Sequence, residues 1–213
     1  MCIRDSYIGV RHQVSLGAAD TIQAKLSFEQ EAYDHGVTLQ SFHCDRGTFA
    51  AKDFVKALDD KNQTIRYSGA NTGFQAGVSE RAIRTVVNMA QTQLLHAAMR
   101  WPDDELTPDC WVQALDYAVY IYNRLPKNDT GLSPLELFFR TSFNLHSLVR
   151  DCHVWGAPTY TLEPSLSKAG GKIPKWQPRS RRGMFMGFSP KHSTLVALVL
   201  NLTTSRSPAS ITL

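Results

Sequence analysis

Val37-Thr38-Leu39-Gln40-Ser41-Phe42-His43-Cys44-Asp45-Arg46-Gly47 is the stretch whose reading decides the fold. A strand pattern runs up to an acid and then breaks at a glycine turn, which places Asp45 at the C-terminal end of a strand. Thirty-four residues separate Asp45 from Glu80, which lies in Gly77-Val78-Ser79-Glu80-Arg81 at the start of a long amphipathic helix. Two acids that far apart meet only if the chain folds back between them. Carboxylates that meet hold divalent metal, and metal held this way performs phosphoryl-transfer chemistry. Spacing alone does not decide this in a chain with 19 acidic residues. Asp45 capping a turn and Glu80 complementing a helix dipole is the plainer alternative.

Upstream, residues 7–16 alternate Ile8, Val10, His12 and Val14 on one side, which predicts a strand ended by Gly17. A helix from about 20 to 35 follows, with Ile22, Leu26, Ala32 and Tyr33 as its stripe, Phe28 and Glu29 between them, and Gly36 at its end. Downstream, a helix over 51–60 presents Phe54, Val55 and Leu58, and a short strand covers 63–67. Residues 68–75 are rich in Gly, Asn, Ser and Thr and read as a loop. The helix over 77–99 carries Ile83, Val86, Val87, Ala90, Leu94 and Ala97 at helical spacing, with Glu80, Arg84, Asn88 and Gln91 as a polar stripe. A helix over 111–125, burying Trp111, Leu115, Ala118, Val119 and Tyr122, ends at Pro126. A short helix over 133–139 has Pro134 in its first turn. Residues 153–162, 183–188 and 194–202 read as strands around a Gly/Pro/Lys-rich loop, 165–182. The pattern is an α/β body, βαβαβαα, followed by a small all-β appendage.

The chain of 213 residues is long enough for a sizeable core. It has no run of about 18 apolar residues, so no membrane span or membrane partner is expected. Cys2, Cys44, Cys110 and Cys152 form no Cys-x-x-Cys pair, which argues against a zinc site and for reduced, packed thiols in an intracellular setting. The net charge of +4 is unevenly placed: no acid follows Glu163, while Lys168, Lys172, Lys175, Arg179, Arg181, Arg182, Lys191 and Arg206 do. A basic C-terminal quarter on a neutral-to-acidic body suggests a polyanionic partner, against the alternative of a solvated basic loop.

The residues at this point resemble the integrase region of copia-type retrotransposon polyproteins. Cys44-Asp45-Arg46-Gly47-Thr48-Phe49 is similar to that family's Ser-Asp-Asn-Gly-x-(x)-Phe, and Gln75-Ala76-Gly77-Val78-Ser79-Glu80-Arg81-Ala82-Ile83-Arg84-Thr85 to its Gln-Asn-Gly-Val-x-Glu-Arg-x-x-Arg-Thr. Lys175-Trp176-Gln177-Pro178-Arg179-Ser180, running on through Gly183, Phe185, Gly187 and Ser189, is similar to Lys-x-x-Pro-Arg-Ser-x-x-Gly-x-Phe-x-Gly-Tyr-Ser. Between them, in family order, stand Trp111, Ala114, Tyr120-Ile121-Tyr122-Asn123-Arg124-Leu125-Pro126, Ser133-Pro134-Leu135-Glu136 and His153-Val154-Trp155-Gly156.

The resemblance implies a ribonuclease H-like mixed sheet flanked by helices, truncated at its N-terminus, in residues 1–125. A helical connector would span 126–150, a small basic β subdomain 151–204 and a divergent tail 205–213. It implies an Asp, Asp and Glu that hold two Mg²⁺ or Mn²⁺ ions, with Asp45 as the second Asp and Glu80 as the Glu. The first Asp would lie upstream of Tyr7 and is unmatched; Asp5 aligns better with a non-catalytic position and is not assigned. The implied reaction is trimming of DNA ends and strand transfer into target DNA, by a homo-oligomer acting in the nucleus on host DNA. Arg81, Arg84, Lys172, Lys175, Arg179, Arg181 and Arg182 are the expected DNA contacts. Arg46 and Ala76 stand where the family has Asn, and Ala157 where Cys is common.

The expectation is therefore an integrase core fragment that is inactive by itself, with Asp45 and Glu80 facing one another across a shallow cleft. A nucleic-acid-binding module without chemistry is the alternative. A carboxylate-pair glycosidase, with carboxyls about 5–9.5 Å apart, is disfavoured because Arg46, Arg81 and Arg84 suit phosphate better than sugar. His96, His146 and His192 read as surface or packing residues, and Ser6 and Ser68 lack a base at a suggestive position. Trp101, Trp111 and Trp155 read as core or junction residues; Trp176, inside the basic loop, is the one tryptophan suited to stacking on a base.

Overall fold

The computed structural model describes residues 2–4, 7–69, 77–102, 108–142, 144, 149–167, 171–192, 196–202 and 211–212. Its contacts fall into two compact units, Met1–Thr85 with Tyr122–Leu145, and Val86–Ile121 with His146–Leu213. The architecture is mixed α/β.

In the first unit, β1 (Cys2–Arg4) and β2 (Tyr7–Gly9) form an antiparallel pair with Ile3 opposite Ile8. All three residues of β2 are buried. Its outer edge is closed by a side chain rather than a strand. Asn123 accepts from the Ile8 N–H at 3.0 Å and donates to the Ile8 carbonyl at 2.8 Å, and both residues are buried. The Tyr7 ring stacks on Phe138 at 4.6 Å and meets Phe139 edge-on at 5.4 Å. Phe138 also lies 6.0 Å from Phe28, and His35 packs edge-on against Phe139 at 4.1 Å. This aromatic cluster is the unit's core and explains the short helix α5 (Pro134–Phe139), which supplies Phe138 and Phe139. Six residues are too few to form a helix unaided; here Ser133 and Glu136 form a reciprocal capping box with Pro134 in the first turn.

The strand expected over 7–16 ends at Gly9. Val14 and Leu16 are exposed, because residues 10–17 pair with no strand among the described residues and turn to α1 (Ala18–Asp34) instead. Arg11 reaches Ser27 and Glu31 on that helix, and Ser15 bonds to Asp20 through its hydroxyl (2.6 Å) and amide (3.1 Å). The helix itself was expected, but its buried face is Thr21, Lys25, Phe28 and Ala32, with Tyr33 exposed. Gly36 closes the helix with φ +78°, a left-handed conformation glycine adopts without cost.

β3 (Ser41–Cys44), shorter than the 37–44 expected, runs parallel to β4 (Thr64–Tyr67) with Cys44 opposite Tyr67. The crossover is α2 (Lys52–Asp59), which buries Phe54 and Leu58 as its pattern predicts. In place of one mixed sheet the described residues form two separate pairs, antiparallel β1–β2 and parallel β3–β4, with no ladder between them.

The helix α3 (Gly77–Arg100) matches the expected one almost end to end. Val86, Ala90 and Ala97 are buried, whereas Ile83 and Val87 are exposed. α4 (Trp111–Arg124) buries Ala114, Tyr117, Ala118, Val119 and Asn123. Trp111 is 51% exposed, not buried, because the small residues and Tyr117 occupy the inward face.

In the second unit, β5 (Pro158–Leu162), β6 (Ser180–Phe188), β7 (Ala197–Asn201) and β8 (Ile211–Thr212) form one antiparallel sheet in sequential order. The small β region does not stand alone: Met184, Phe185, Met186 and Leu200 pack with Ala90, Ala97, Trp101, Ala114 and Tyr117 from the helices. Five consecutive residues of β6, from Gly183, are buried, and a register shift between Phe185 and Gly187 breaks simple alternation. Polar ends inside this core are satisfied. The Trp101 and Trp155 indoles donate to the carbonyls of Gly156 (2.7 Å) and Met186 (3.2 Å), and the Tyr117 hydroxyl donates to that of His153 (2.6 Å). Burial pushes the Tyr117 phenol well above its ordinary range.

Candidate functional site

Parallel pairing with β4 fixes the end of β3, where the Ser68 amide donates to the Cys44 carbonyl at 3.0 Å. The following turn is held by the Tyr67 hydroxyl, which donates to the Phe49 carbonyl at 3.1 Å, and by Phe49 packed edge-on against buried Phe54 at 5.4 Å. Asp45 therefore stands between a strand end and a turn that are both anchored from β4. Its carboxylate is exposed and folds over its own turn: a Cβ on Gly47 would stand 3.7 Å from Asp45 Oδ1. Glu80 lies in the first turn of α3 and is also exposed. There the unpaired amides and the helix dipole favour a negative charge.

Among the described residues neither carboxylate has an ion-pair partner. Both belong to the first unit, and residues 70–76, most of the expected loop joining β4 to α3, lie outside the described residues. No three His, Cys, Asp or Glu side chains among the described residues are grouped to hold a metal ion. Two cavities, of about 550 and 570 Å³, lie elsewhere and are lined by neither acid. As a donor set, two exposed carboxylates suit one hard cation that keeps water and takes phosphate oxygens as further ligands. They do not by themselves suit two ions.

Arg81 and Arg84 are exposed on α3. Arg84 stands four residues after Glu80, yet the helix-surface salt bridge that would occupy it is not among the described ion pairs. A contact the sequence reading passed over lies beside Asp45: His43, two residues earlier on β3, has Nε2 3.2 Å from the Ser68 hydroxyl. The period-two rule places His43 and Asp45 on one side of the strand, which is the signal that could have found it.

The basic residues of the second unit differ in what they touch. Arg181 donates two bonds of 2.5 Å to Glu163, and this fork holds the Glu163 carboxyl below the usual carboxylate range. The Arg182 guanidinium sits 4.2 Å from the centre of the buried Trp101 ring. Lys172, Lys175 and Arg179 are exposed and form no ion pair among the described residues. Lys168 lies outside the described residues. Trp176 is 90% exposed, with the Lys175 ammonium 5.5 Å from its ring centre.

No family model matches the chain, and no curated protein matches it. Among solved structures it is similar to the HTLV-2 integrase catalytic core domain in complex with magnesium (trimeric form). The identity is 18%, over 63% of this chain and 78% of that one, with a TM-score of 0.46. It is also similar to the simian T-cell lymphotropic virus intasome in complex with PP2A regulatory subunit B56 gamma. There the identity is 16%, over 93% of this chain and 67% of that one, with a TM-score of 0.48. Likenesses this distant are similarities in shape only. No helix among the described residues is long and apolar enough to cross a membrane.

Proposed function

We propose that the chain is an integrase core of copia type, of ribonuclease H-like fold, that acts on DNA ends with Mg²⁺ or Mn²⁺ once its missing acid is supplied. The observation that carries this is the placing of two solvent-facing acids: Asp45 just beyond an anchored parallel strand, and Glu80 in the first turn of α3. A second observation supports the fold. Asn123 closes the outer edge of β2, whereas the far edges of β1 and β3 carry no ladder among the described residues. One further strand between β1 and β3 would join the two pieces into a mixed sheet and would bring an acid beside Asp45.

In this reading Asp45 and Glu80 hold the metal, which supplies Lewis-acid activation of the phosphodiester and of the attacking oxygen. Arg81 and Arg84 take phosphate oxygens beside it, in the positions that fix a strand without reading sequence. Arg46, next to the ligand Asp45, weakens the site by repelling the cation. The partners are the DNA of element ends and target, and other copies of the intact protein, in the nucleus.

The test is reconstitution. Residues 1–213 alone give no strand transfer or end processing. Adding an upstream strand that carries Asp, together with Arg46→Asn, yields Mg²⁺-dependent cleavage of DNA ends, and Glu80→Gln removes it. Robust Mg²⁺-dependent cleavage by the chain as it stands would instead show that another residue, Asp5 first, completes the site. The second reading, a binding module without chemistry, is favoured by the exposed cations of the second unit. It predicts DNA binding, with no cleavage from the reconstituted chain.

A further inference from the structure

The basic loop before β6 contains one large side chain that its own fold leaves uncovered. Trp176 is 90% exposed, whereas Trp101 and Trp155 are buried with their indole N–H groups satisfied. Nothing in the unit's core accounts for Trp176, and full exposure of so large an apolar surface to water is unfavourable.

Its charged surroundings are specific. The nearest acid in sequence, Glu163, is taken up by Arg181, and Arg182 is laid against Trp101. The cations that remain exposed around Trp176 are Lys172, Lys175 and Arg179, with Lys175 at 5.5 Å from the ring. The Arg181–Glu163 pair therefore anchors the base of the loop at β6 and engages the acid nearest to it in sequence. An uncovered indole with one ammonium over its ring and two further exposed cations within four residues in the chain is complementary to a flat aromatic group flanked by phosphates. Ile173, Gln177 and Pro178, on either side of Trp176 in the chain, help line the cavity of about 550 Å³, which also presents the polar side chains of Ser165 and Ser180. In a duplex, bases are stacked on each other and offer no face to an indole; in a single strand they do.

We infer that Trp176 is a stacking platform for an unpaired base, with Lys172, Lys175 and Arg179 holding the flanking phosphates, so that this loop binds single-stranded DNA such as a frayed or overhanging end. This rests on the DNA role proposed above and adds which form of DNA the second unit prefers.

The experiment measures binding of the full chain to a 12-nucleotide oligothymidylate, a blunt duplex, and the same duplex with a single-stranded overhang, at fixed salt. Trp176→Ala, Trp176→Phe and a Lys172/Lys175/Arg179→Ala variant are compared. Base–aromatic stacking of the usual strength predicts that Trp176→Ala weakens oligothymidylate and overhang binding about 5- to 150-fold, with little change on blunt duplex. Trp176→Phe recovers a substantial part. The triple variant weakens every DNA and lowers the salt slope. Quenching of tryptophan fluorescence by oligothymidylate, absent in Trp176→Phe, reports the stack directly. Equal binding of all three DNAs with Trp176→Ala unchanged overturns the inference and leaves the proposed DNA role standing. No binding of any DNA removes both. Because Trp176 is exposed, its substitution leaves the fold intact, as an unchanged thermal transition verifies.

Discussion

Replacing Asn123 by Ala tests how the first unit is held together. The side chain makes two bonds to the backbone of Ile8, at 3.0 and 2.8 Å, and Ile8 is 1% exposed. Alanine leaves a buried N–H and a buried C=O without partners. Each such group costs about 1–3 kcal/mol, so the pair costs about 2–6 kcal/mol, and partial entry of water brings this to about 2–4. Domains of this kind are stable by only about 5–15 kcal/mol, and for a chain of this length each kcal/mol moves the melting temperature by about 2–4 °C. The expected fall is about 4–16 °C in the transition of the unit containing β2 and α1. With two units a single global transition is not assumed, so amide exchange at residues 7–9 is followed alongside urea denaturation. Asn123→Asp fares no better, since its carboxylate oxygen replaces the donor that faces the Ile8 carbonyl. A loss under about 0.5 kcal/mol, with the Ile8 amide still protected, would refute the claim that this side chain closes the edge of β2.

If Asp45 and Glu80 hold Mg²⁺ as proposed, Arg46→Asn raises its affinity: a divalent ion and a guanidinium about 8 Å apart in water repel by about 1 kcal/mol, so calorimetric titration should show a gain of about fivefold, and no gain refutes the repulsion. Gly183→Ala destabilises the second unit by about 1–3 kcal/mol, because its Cβ would stand 2.4 Å from Val199 Cγ1 and 2.9 Å from the Leu200 carbonyl oxygen. Adding Val199→Ala recovers only part, since the carbonyl remains, and full recovery in a urea melt would contradict this. Burial acts to raise the Glu29 carboxyl, but bonds from Lys25, Lys61 and Gln63 outweigh it and leave it below its ordinary value of 4.5. A depressed folded value stabilises above the unfolded one, so this contribution is lost as pH falls below about 4.5; Glu29→Gln should flatten stability against pH there, and an unchanged profile rules it out.

Elements with a clean period were legible. α2 buries Phe54 and Leu58, and α3 buries Val86, Ala90 and Ala97, where apolar spacing placed them. α1 was found, with Phe28 and Ala32 buried, but its inward face also takes in Thr21 and Lys25 while Tyr33 is exposed. The Lys25 ammonium lies 2.7 Å from Glu29 and 5.5 Å from the Phe42 ring, an arrangement that makes a charged position buried and cannot be read from a hydrophobic pattern. Residues 10–16 alternate without being a strand, since alternation specifies a face and only a partner edge makes a ladder. The positions of Asp45, just past a strand end, and Glu80, in the first turn of α3, were legible from the text around them. The engagement of Arg181 was not, because it depends on register: Thr161 opposite Arg181 and Leu162 opposite Ser180 bring Glu163 within reach. The stacking of Arg182 on Trp101 spans 81 positions of chain and leaves no local trace.

The first unit is discontinuous in sequence, resuming at Tyr122 after leaving at Thr85. During synthesis β2 and α1 emerge early, but Asn123, Phe138 and Phe139, which complete their core, emerge last. Phe139 follows Phe28 by 111 residues, and at ribosomal speeds of about 5–20 residues per second the interval is roughly 6–22 s. For that time Tyr7, Ile8 and Phe28 are exposed on the nascent chain, and the early segment depends on chaperones or on the slowness of its own aggregation.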